Sequence, residues 1–291
     1  MFEFDEKILF IRQKISEAKQ KVLEMGINAG MGHITSAYSC SEIIATLYYN
    51  IMRQNPKDPH WQERDRFIMS KNHGILMAYP ILADLEYFPK EELMSFMNDG
   101  TRLGGHSKLI LEGIDFAGGS LGIGLGVGAG LAYAAKTDHK DWLTFVLVGD
   151  GECYEGSIWE SAMFAGHNRL DNLIAVIDRN QLCCTDFTEN ILKLEPLENK
   201  WRSFGWDTAE INGHDIKQIL DCFDDIKKIK RDRPFAVIAN TVKGNGIDFM
   251  SNAPLFHGIA PKGTDADRAM LQISQTNQTD QINSINQEAK I

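Results

Sequence analysis

Two short polar segments carry the residues best suited to bind an anion together with a metal ion. Gly149-Asp150-Gly151-Glu152 and Asp178-Arg179-Asn180-Gln181-Leu182 each follow an apolar run. An aspartate carboxylate and an asparagine amide oxygen are hard ligands that suit Mg²⁺ or Ca²⁺, and zinc is not indicated. Gly151 lets the backbone approach phosphate oxygens, and the start of the following helix directs free N–H groups towards an anion. The sequence therefore predicts a metal site that also holds a diphosphate.

These two segments are expected to meet because of the elements that carry them. The stretch Leu143–Asp178 has the pattern of a strand, a helix over Trp159–His167 and a second strand. A right-handed crossover returns the chain to the same edge of a sheet, so Asp150 and Asn180 should lie at nearby carboxyl ends, where open α/β sheets bind ligands. Alone, either segment is more often a simple turn or loop. Placed after two strands, they favour a shared site.

The rest of the chain continues this alternation, which predicts an α/β fold with a parallel sheet covered by helices on both faces. Gly26–Ser39 is expected to interrupt the helices, and Lys71-Asn72-His73-Gly74 to form a loop after a strand. The predicted helices are Glu3–Met25, Ser41–Met52, a pair over Ile75–Met97, Leu121–Lys136 and Asp215–Lys230, and the remaining strands are Asp65–Ser70, Trp206–Ile211 and Pro234–Thr241. We expect one domain over residues 1–270 and a polar, mobile tail over 271–291.

The segment Leu121–Lys136 contains glycines at 122, 124, 126, 128 and 130. Each costs a helix about 1 kcal/mol relative to alanine. Close backbone packing must therefore compensate along this helix.

Composition narrows the class of function. The formal net charge of −10 argues against a nucleic-acid or anionic-membrane surface, either of which needs clustered Lys and Arg. The five cysteines have no CxxC or Cys/His ligand spacing, and their odd number suits a reducing compartment. Neither a signal peptide nor a run of about 18 apolar residues is recognisable. A cytoplasmic enzyme acting on small molecules is the expectation.

A Gly-Asp-Gly motif followed some thirty residues later by an Asn is similar to the thiamine diphosphate motif, and the surrounding sequence resembles transketolase. The resemblance covers about Lys7–Lys262. Motifs in the family's order are Arg64-Asp65-Arg66-Phe67-Ile68 before His73, Gly119-Ser120-Leu121-Gly122, Gly149-Asp150-Gly151 with Glu155-Gly156 and Trp159-Glu160, and Asn212-Gly213-His214-Asp215.

The resemblance implies a thiamine-diphosphate-binding fold of the diphosphate-binding (PP) type, and it implies roles residue by residue. Asp150, Asn180 and the backbone carbonyl of Leu182 would bind Mg²⁺ or Ca²⁺. The diphosphate side of the cofactor would contact His73, Gly151 and His257, and the aminopyrimidine would contact backbone groups of Gly119, Ser120 and Leu121. The reacting sugar would face His33 and His106.

Ketol transfer breaks a C–C bond while protons move, and histidine donates or accepts protons near neutral pH. His33, His106 and His257 are therefore the candidate catalytic residues. Any single histidine is more often structural, and only the motif contexts favour these three together with His73. We expect His214 to belong to the turn before a helix.

Glu155 and Glu160 lie near the start of the helix after the Gly-Asp-Gly loop, where helix capping is the simplest role. The resemblance places such acids at the subunit interface, linking paired active sites. Glu155 is also one of the candidate cofactor-binding residues.

The resemblance also implies a partner chain. In this class a glutamate from a separate pyrimidine-binding domain activates the cofactor, and full-length transketolases carry that domain after this one. We expect a C-terminal transketolase subunit to supply it in an α₂β₂ assembly, with phosphorylated sugars as substrates. Thr35 and Ser36, Asn72 and Ser107 depart from the usual pattern near the expected substrate funnel, which leaves the sugar open.

Three functions remain in competition. The first is two-carbon ketol transfer between phosphorylated sugars. The second is another thiamine diphosphate-dependent acyl or ketol transfer in a specialised pathway, and the third is a non-catalytic subunit that only binds a partner. A dinucleotide site in the Gly-rich segment is weaker, since no βαβ fingerprint with a following acidic residue frames it.

Overall fold

The structure is a computed structural model that describes residues 2–107 and 111–275. Its strands are β1 Arg66–Met69, β2 Thr144–Gly149, β3 Leu173–Arg179, β4 Asp207–Asn212 and β5 Phe235–Asn240. Its α-helices are α1 Phe2–Ala29, α2 Ile34–Ser39, α3 Ser41–Thr46, α4 Ala78–Asp84, α5 Gly124–Thr137, α6 Gly156–His167, α7 Thr188–Ile191, α8 Leu197–Ser203, α9 Ile216–Lys228 and α10 over residues 264–275. Short 3₁₀ segments cover Asn72–Met77, Lys90–Ser95, Gly151–Tyr154 and Pro254–Phe256, and a π-helical turn covers Leu47–Ile51.

The five strands form one parallel sheet in the order β1-β2-β3-β5-β4. Strands β2 and β3 are direct neighbours, with Gly149 paired to Asp178. The predicted α/β fold and the predicted proximity of the two polar segments are therefore confirmed.

Side chains that alternate along the strands enter two separate cores, one on each face of the sheet. Phe145 and Leu147 of β2 pack into the core formed with α1, α2, α3, α4 and α9. Val146 and Val148 pack into the other core, with α5, α6 and α8. Both faces of the sheet are thus covered by helices, as predicted. Within the described ranges, no helix is long and apolar enough to cross a lipid bilayer.

The expected break over Gly26–Ser39 is wrong at both ends, because α1 continues to Ala29 and α2 begins at Ile34. The positive φ angles of Gly30 and Gly32, 69° and 142°, confine the break to a short turn, and α2 follows with all six of its residues buried. Its polar side chains suggested a loop, but Ser39 Oγ donates to the buried Asp178 at 2.6 Å.

The predicted tail begins inside an ordered element. Residues 271–275 belong to α10, in which Ile273 is buried. Residues 276–291, the rest of the predicted tail, lie outside the described residues.

Substitution by alanine at two glycines of α5 should change the stability of the protein in opposite directions. A Cβ at Gly128 would lie 2.4 Å from Val146 Cγ2 in the core, so we expect Gly128→Ala to destabilise by about 1–3 kcal/mol. No described atom lies within 4 Å of a Cβ at Gly130, so Gly130→Ala should stabilise by up to about 1 kcal/mol. Urea unfolding of both variants checks this, and equal effects would refute packing as the reason for Gly128.

Candidate active site

Asp150 and the segment Asn180–Leu182 meet at the carboxyl ends of β2 and β3. Asp150 is buried, and its carboxylate accepts hydrogen bonds from Gly151 N at 2.7 Å and Gln181 N at 2.5 Å. The Asn180 amide oxygen accepts from Leu182 N at 3.1 Å. Oxygen atoms from both segments thus lie at one point of the sheet edge.

This donor set fits a hard divalent cation. Burial raises the pKa of Asp150, and the negative charge of Asp178 raises it further. The charged carboxylate is therefore disfavoured here, and a positive charge beside it stabilises it. Arg179 provides such charge, with Nη1 at 3.1 Å from Asp150 Oδ2. Among the described residues no group of three or more His, Cys, Asp or Glu side chains could hold a metal. The predicted ligands instead combine one carboxylate, one amide and one backbone carbonyl, and metal binding by them stays a prediction.

A side chain at Gly151 would require Cys183 to move. A Cβ there would lie 2.7 Å from Cys183 Sγ. The backbone at Gly151 is therefore free of a side chain beside Asp150, as the predicted approach of a diphosphate requires.

Four predicted histidines form one cluster. The His33 ring lies at the centre, with ring-centroid distances of 5.6 Å to His73, 5.9 Å to His106 and 5.2 Å to His257. They come from four separate segments: the turn before α2, the 3₁₀ segment after β1, the stretch of residues 104–107, and the residue after Pro254–Phe256. The fold brings these residues together, although their roles in catalysis stay predictions.

Three of the four histidines, His33, His73 and His257, are held neutral near physiological pH. Burial lowers the pKa of His33 and of His257 to about 4, assisted first by His106 for His33 and by Lys243 for His257. Burial also lowers the pKa of His73, with Lys71 adding to the effect. Neutral imidazoles can accept protons, so the cluster suits proton transfer.

Acid should destabilise the protein through this cluster. The pKa of His33 and of His257 is about 6.5 in the unfolded state and about 4 in the folded state. Between these pH values the unfolded state binds more protons than the folded state, so the free energy of unfolding falls as the pH falls. The cofactor-free variant His257→Gln should therefore lose less in Tm across this range than the unmodified protein. The exposed control His60→Gln should behave like the unmodified protein, and a parallel Tm curve for His257→Gln would contradict the lowered pKa.

Lys243 connects the histidines to the oxygen-lined edge, although the sequence motifs did not single it out. Its Nζ lies 2.8 Å from His257 Nδ1 and 3.3 Å from the backbone carbonyl oxygens of both Leu182 and Cys183. Burial, and then Lys71, lower the pKa of Lys243 to about 8. Lys243 lies three residues after the end of β5. Because open α/β sheets bind ligands at the carboxyl ends of their strands, this position is the feature of the sequence that could have indicated Lys243.

A second feature that the sequence did not indicate is a fully buried ion pair beneath this edge. Lys71 Nζ contacts Asp178, and both side chains are almost completely inaccessible. Burial opposes both charges, but Asp178 raises the pKa of Lys71 and Lys71 lowers the pKa of Asp178. Asp178 also accepts from Ser39, Thr241 and Asn180. The pair therefore joins β1, β3, β5 and α2 directly below Asn180.

The stretch of residues 119–122 is fixed to the same edge by Glu152. This buried carboxylate accepts from Gly122 N at 2.8 Å, Gly149 N at 3.0 Å and the hydroxyl of Ser70. A Cβ at Gly119 would lie 3.5 Å from the His106 ring, so the predicted pyrimidine-binding segment begins beside the histidine cluster. Ser120 is exposed, as is Glu155, and Leu121 is half-buried.

Two residues that depart from the family pattern bind each other. The Asn72 amide oxygen accepts from Ser107 N at 2.7 Å, and Asn72 Nδ2 donates to Ser107 Oγ at 2.8 Å. Both residues are buried. The pair holds the segment of His73 against that of His106.

Fold and site together define a class: a parallel α/β domain with an oxygen-lined, histidine-rich site at its carboxyl edge, where such sheets bind anionic ligands. The family described as the thiamine diphosphate binding domain of transketolase matches residues 12–286. The chain belongs to this transketolase family.

Several known proteins are similar to this chain over most of its length. An apulose-4-phosphate transketolase subunit from Phocaeicola vulgatus is 37% identical over 257 residues, which are 88% of this chain and 91% of that protein. The 6-deoxy-6-sulfo-D-fructose transketolase subunit SqwG of a Clostridium species is 38% identical over 87% of this chain and 92% of its own length. The crystal structure of Campylobacter jejuni transketolase superposes with a TM-score of 0.85 at 27% identity. It matches 91% of this chain, which spans only 43% of that enzyme's length.

Proposed function

We propose that this chain is the cofactor-binding subunit of a two-subunit transketolase of the cytoplasm. The complex transfers a two-carbon ketol unit between phosphorylated sugars, using thiamine diphosphate and Mg²⁺ or Ca²⁺. The observation that carries this proposal is the position of Lys243, whose ammonium group contacts both His257 and the carbonyl of Leu182. A diphosphate bound beside Asp150 would lie within one site together with the histidines.

The chain's own groups have distinct tasks in this reaction. Thiamine diphosphate, when bound, supplies the carbon nucleophile that accepts the ketol unit. Asp150, Asn180 and the Leu182 carbonyl would hold the metal ion, and Gly151, His73 and Lys243 would face the diphosphate. The neutral imidazoles of His33 and His257, together with His106, would take and return the protons of the sugar hydroxyl groups.

The comparisons and an exposed surface support a partner subunit. The chain matches almost the full length of proteins named as transketolase subunits, but less than half of a full-length transketolase. Tyr133 of α5 and Met163 and Phe164 of α6 are 47%, 55% and 46% exposed, and Tyr133 packs against Phe164. Exposed apolar groups of this kind favour a protein interface. We propose that a pyrimidine-domain subunit covers this face in an α₂β₂ assembly and supplies the activating glutamate.

Affinity purification from native extract, followed by mass spectrometry, tests the partner. We expect a pyrimidine-domain protein at near-equal stoichiometry. Purified complex should transfer a ketol unit from a ketose phosphate to an aldose phosphate only with thiamine diphosphate and a divalent metal, and neither chain should be active without the other. Recovery of the chain only as a self-oligomer would refute the partner, and a complex that fails to bind the cofactor with Mg²⁺ would favour a non-catalytic role.

The sugar requires its own assay. One relative is named for apulose-4-phosphate and another for 6-deoxy-6-sulfo-D-fructose, so similar subunits carry names with different sugars. This favours testing both ordinary ketose phosphates and such specialised donors. The relative kcat/KM values identify the substrate class.

A further inference from the structure

His214 has a defined contact at each ring nitrogen, although the sequence suggested only a turn residue. It lies between β4 and α9. Its Nδ1 lies 2.8 Å from Glu42 Oε2 and 3.1 Å from Asn245 Nδ2, and its Nε2 accepts the backbone N–H of Val242 at 2.8 Å. A backbone amide only donates, so Nε2 carries the lone pair and the ring proton is on Nδ1. The imidazole therefore donates to Glu42 and accepts from Val242. Asn245 Nδ2 is also a donor, so in this tautomer it is a neighbour of Nδ1 and not its hydrogen-bond partner.

Glu42 fixes this tautomer from inside the protein. Its side chain is buried, and its second oxygen accepts from Lys19 Nζ at 2.9 Å. Burial would raise the pKa of Glu42, but Lys19 and His214 together lower it to about 2. The carboxylate is thus charged, and it holds His214 to both α1 and α3.

The other side of His214 leads into the active site. Val242 precedes Lys243, whose Nζ contacts His257 and the Leu182 carbonyl. Backbone bonds from Gly244 N to Thr35 O at 2.9 Å and from Asn252 N to Lys243 O at 2.8 Å hold the residues that follow. Within the described part of the chain, the side chain that accepts the backbone N–H of Val242 is His214. Val242 lies between the end of β5 and Lys243.

We infer that Glu42 and His214 are positioning residues for the cofactor: their carboxylate–imidazole pair anchors the backbone of Val242 and so sets the Lys243 ammonium group against the diphosphate. This inference rests on the proposed binding of thiamine diphosphate. It assigns a role to a pair that touches neither the histidine cluster nor the predicted metal ligands.

A double-mutant cycle in the two-subunit complex tests the inference. The variants are His214→Leu, Lys243→Met, their combination, and the exposed control His60→Leu. The readouts are the Kd for thiamine diphosphate at saturating Mg²⁺, measured by fluorescence quenching, and the Tm of the cofactor-free complex. Because an indirect positioning contact typically contributes about 10- to 100-fold to affinity, His214→Leu should weaken binding by at least about tenfold. In the Lys243→Met background the same change should have little further effect.

Two further variants separate positioning from general destabilisation. His214→Gln keeps an amide oxygen that can accept from Val242 N–H, so it should retain most of the affinity lost in His214→Leu. Glu42→Gln removes the charge with little change in shape, and its effect on Kd should also disappear in the Lys243→Met background. The inference is overturned if His214→Leu lowers only Tm, or if it weakens binding equally with and without Lys243. Failure of the unmodified complex to bind the cofactor would instead refute the proposed function.

Discussion

Asp150→Asn should abolish Mg²⁺-dependent binding of thiamine diphosphate while leaving the protein folded. The substitution keeps the shape and one oxygen but removes the charge that a divalent metal requires. Loss of an indirect partner of a metal ligand typically costs about 10- to 100-fold in affinity, so loss of a direct charged ligand should weaken cofactor binding more than about 100-fold. Titration of the complex with thiamine diphosphate at fixed Mg²⁺ measures this.

The fold should survive because Arg179 has other partners. Its guanidinium also binds Glu195 at 2.9 Å and Glu189 at 3.2 Å, so it remains paired when Asp150 loses its charge. The amide oxygen of the introduced asparagine can still accept from one of the two backbone N–H groups that Asp150 binds, while its NH₂ group leaves the other without this acceptor. An unsatisfied buried donor costs about 1–3 kcal/mol, so the Tm of the cofactor-free variant should fall without loss of the folded state. The exposed control Asp58→Asn should change neither quantity, and wild-type affinity in Asp150→Asn would exclude Asp150 as a metal ligand.

The parts of the site that the sequence predicted depend on local patterns. Asp150 and Asn180 each directly follow a buried apolar strand, and one crossover connects the two strands, so their proximity follows from the handedness of such connections. The histidines were selected by their motifs, since no periodicity relates residues at 33, 73, 106 and 257. The sheet then brings those four segments to one edge.

The parts that the sequence did not predict depend on partners far apart in the chain. Lys71 and Asp178 are separated by 107 residues, and His214 and Glu42 by 172. Nothing near any of these residues in the sequence indicates burial of a charge. The position of β4 outside β5 was likewise open, because alternation of strands and helices fixes neither the order of strands nor the edge of the sheet.

Asp178→Ala should give the largest loss of stability among single substitutions at this edge. Among the described residues, the hydrogen-bond partners left to the buried Lys71 ammonium are Ser36 O at 3.1 Å and Ser39 Oγ at 3.2 Å. Removing one member of a buried ion pair typically costs about 3–5 kcal/mol, and we expect a loss of that size in the free energy of unfolding. Lys71→Met should cost less, because the remaining Asp178 carboxylate still accepts from Ser39, Thr241 and Asn180.

The double variant Lys71→Met with Asp178→Leu decides whether the unpaired charge causes this loss. With both charges removed, no buried ion lacks a partner, so the double variant should be more stable than Asp178→Ala, as for other buried pairs replaced by apolar residues. Arg169 and Asp232 form a matched exposed pair at 3.0 Å, with side chains 69% and 67% accessible. Asp232→Ala should cost no more than about 1 kcal/mol. If urea unfolding gives equal losses for Asp178→Ala and the double variant, lost packing rather than an unpaired charge explains the effect. The ion pair would then not be what joins the strands beneath the cofactor site.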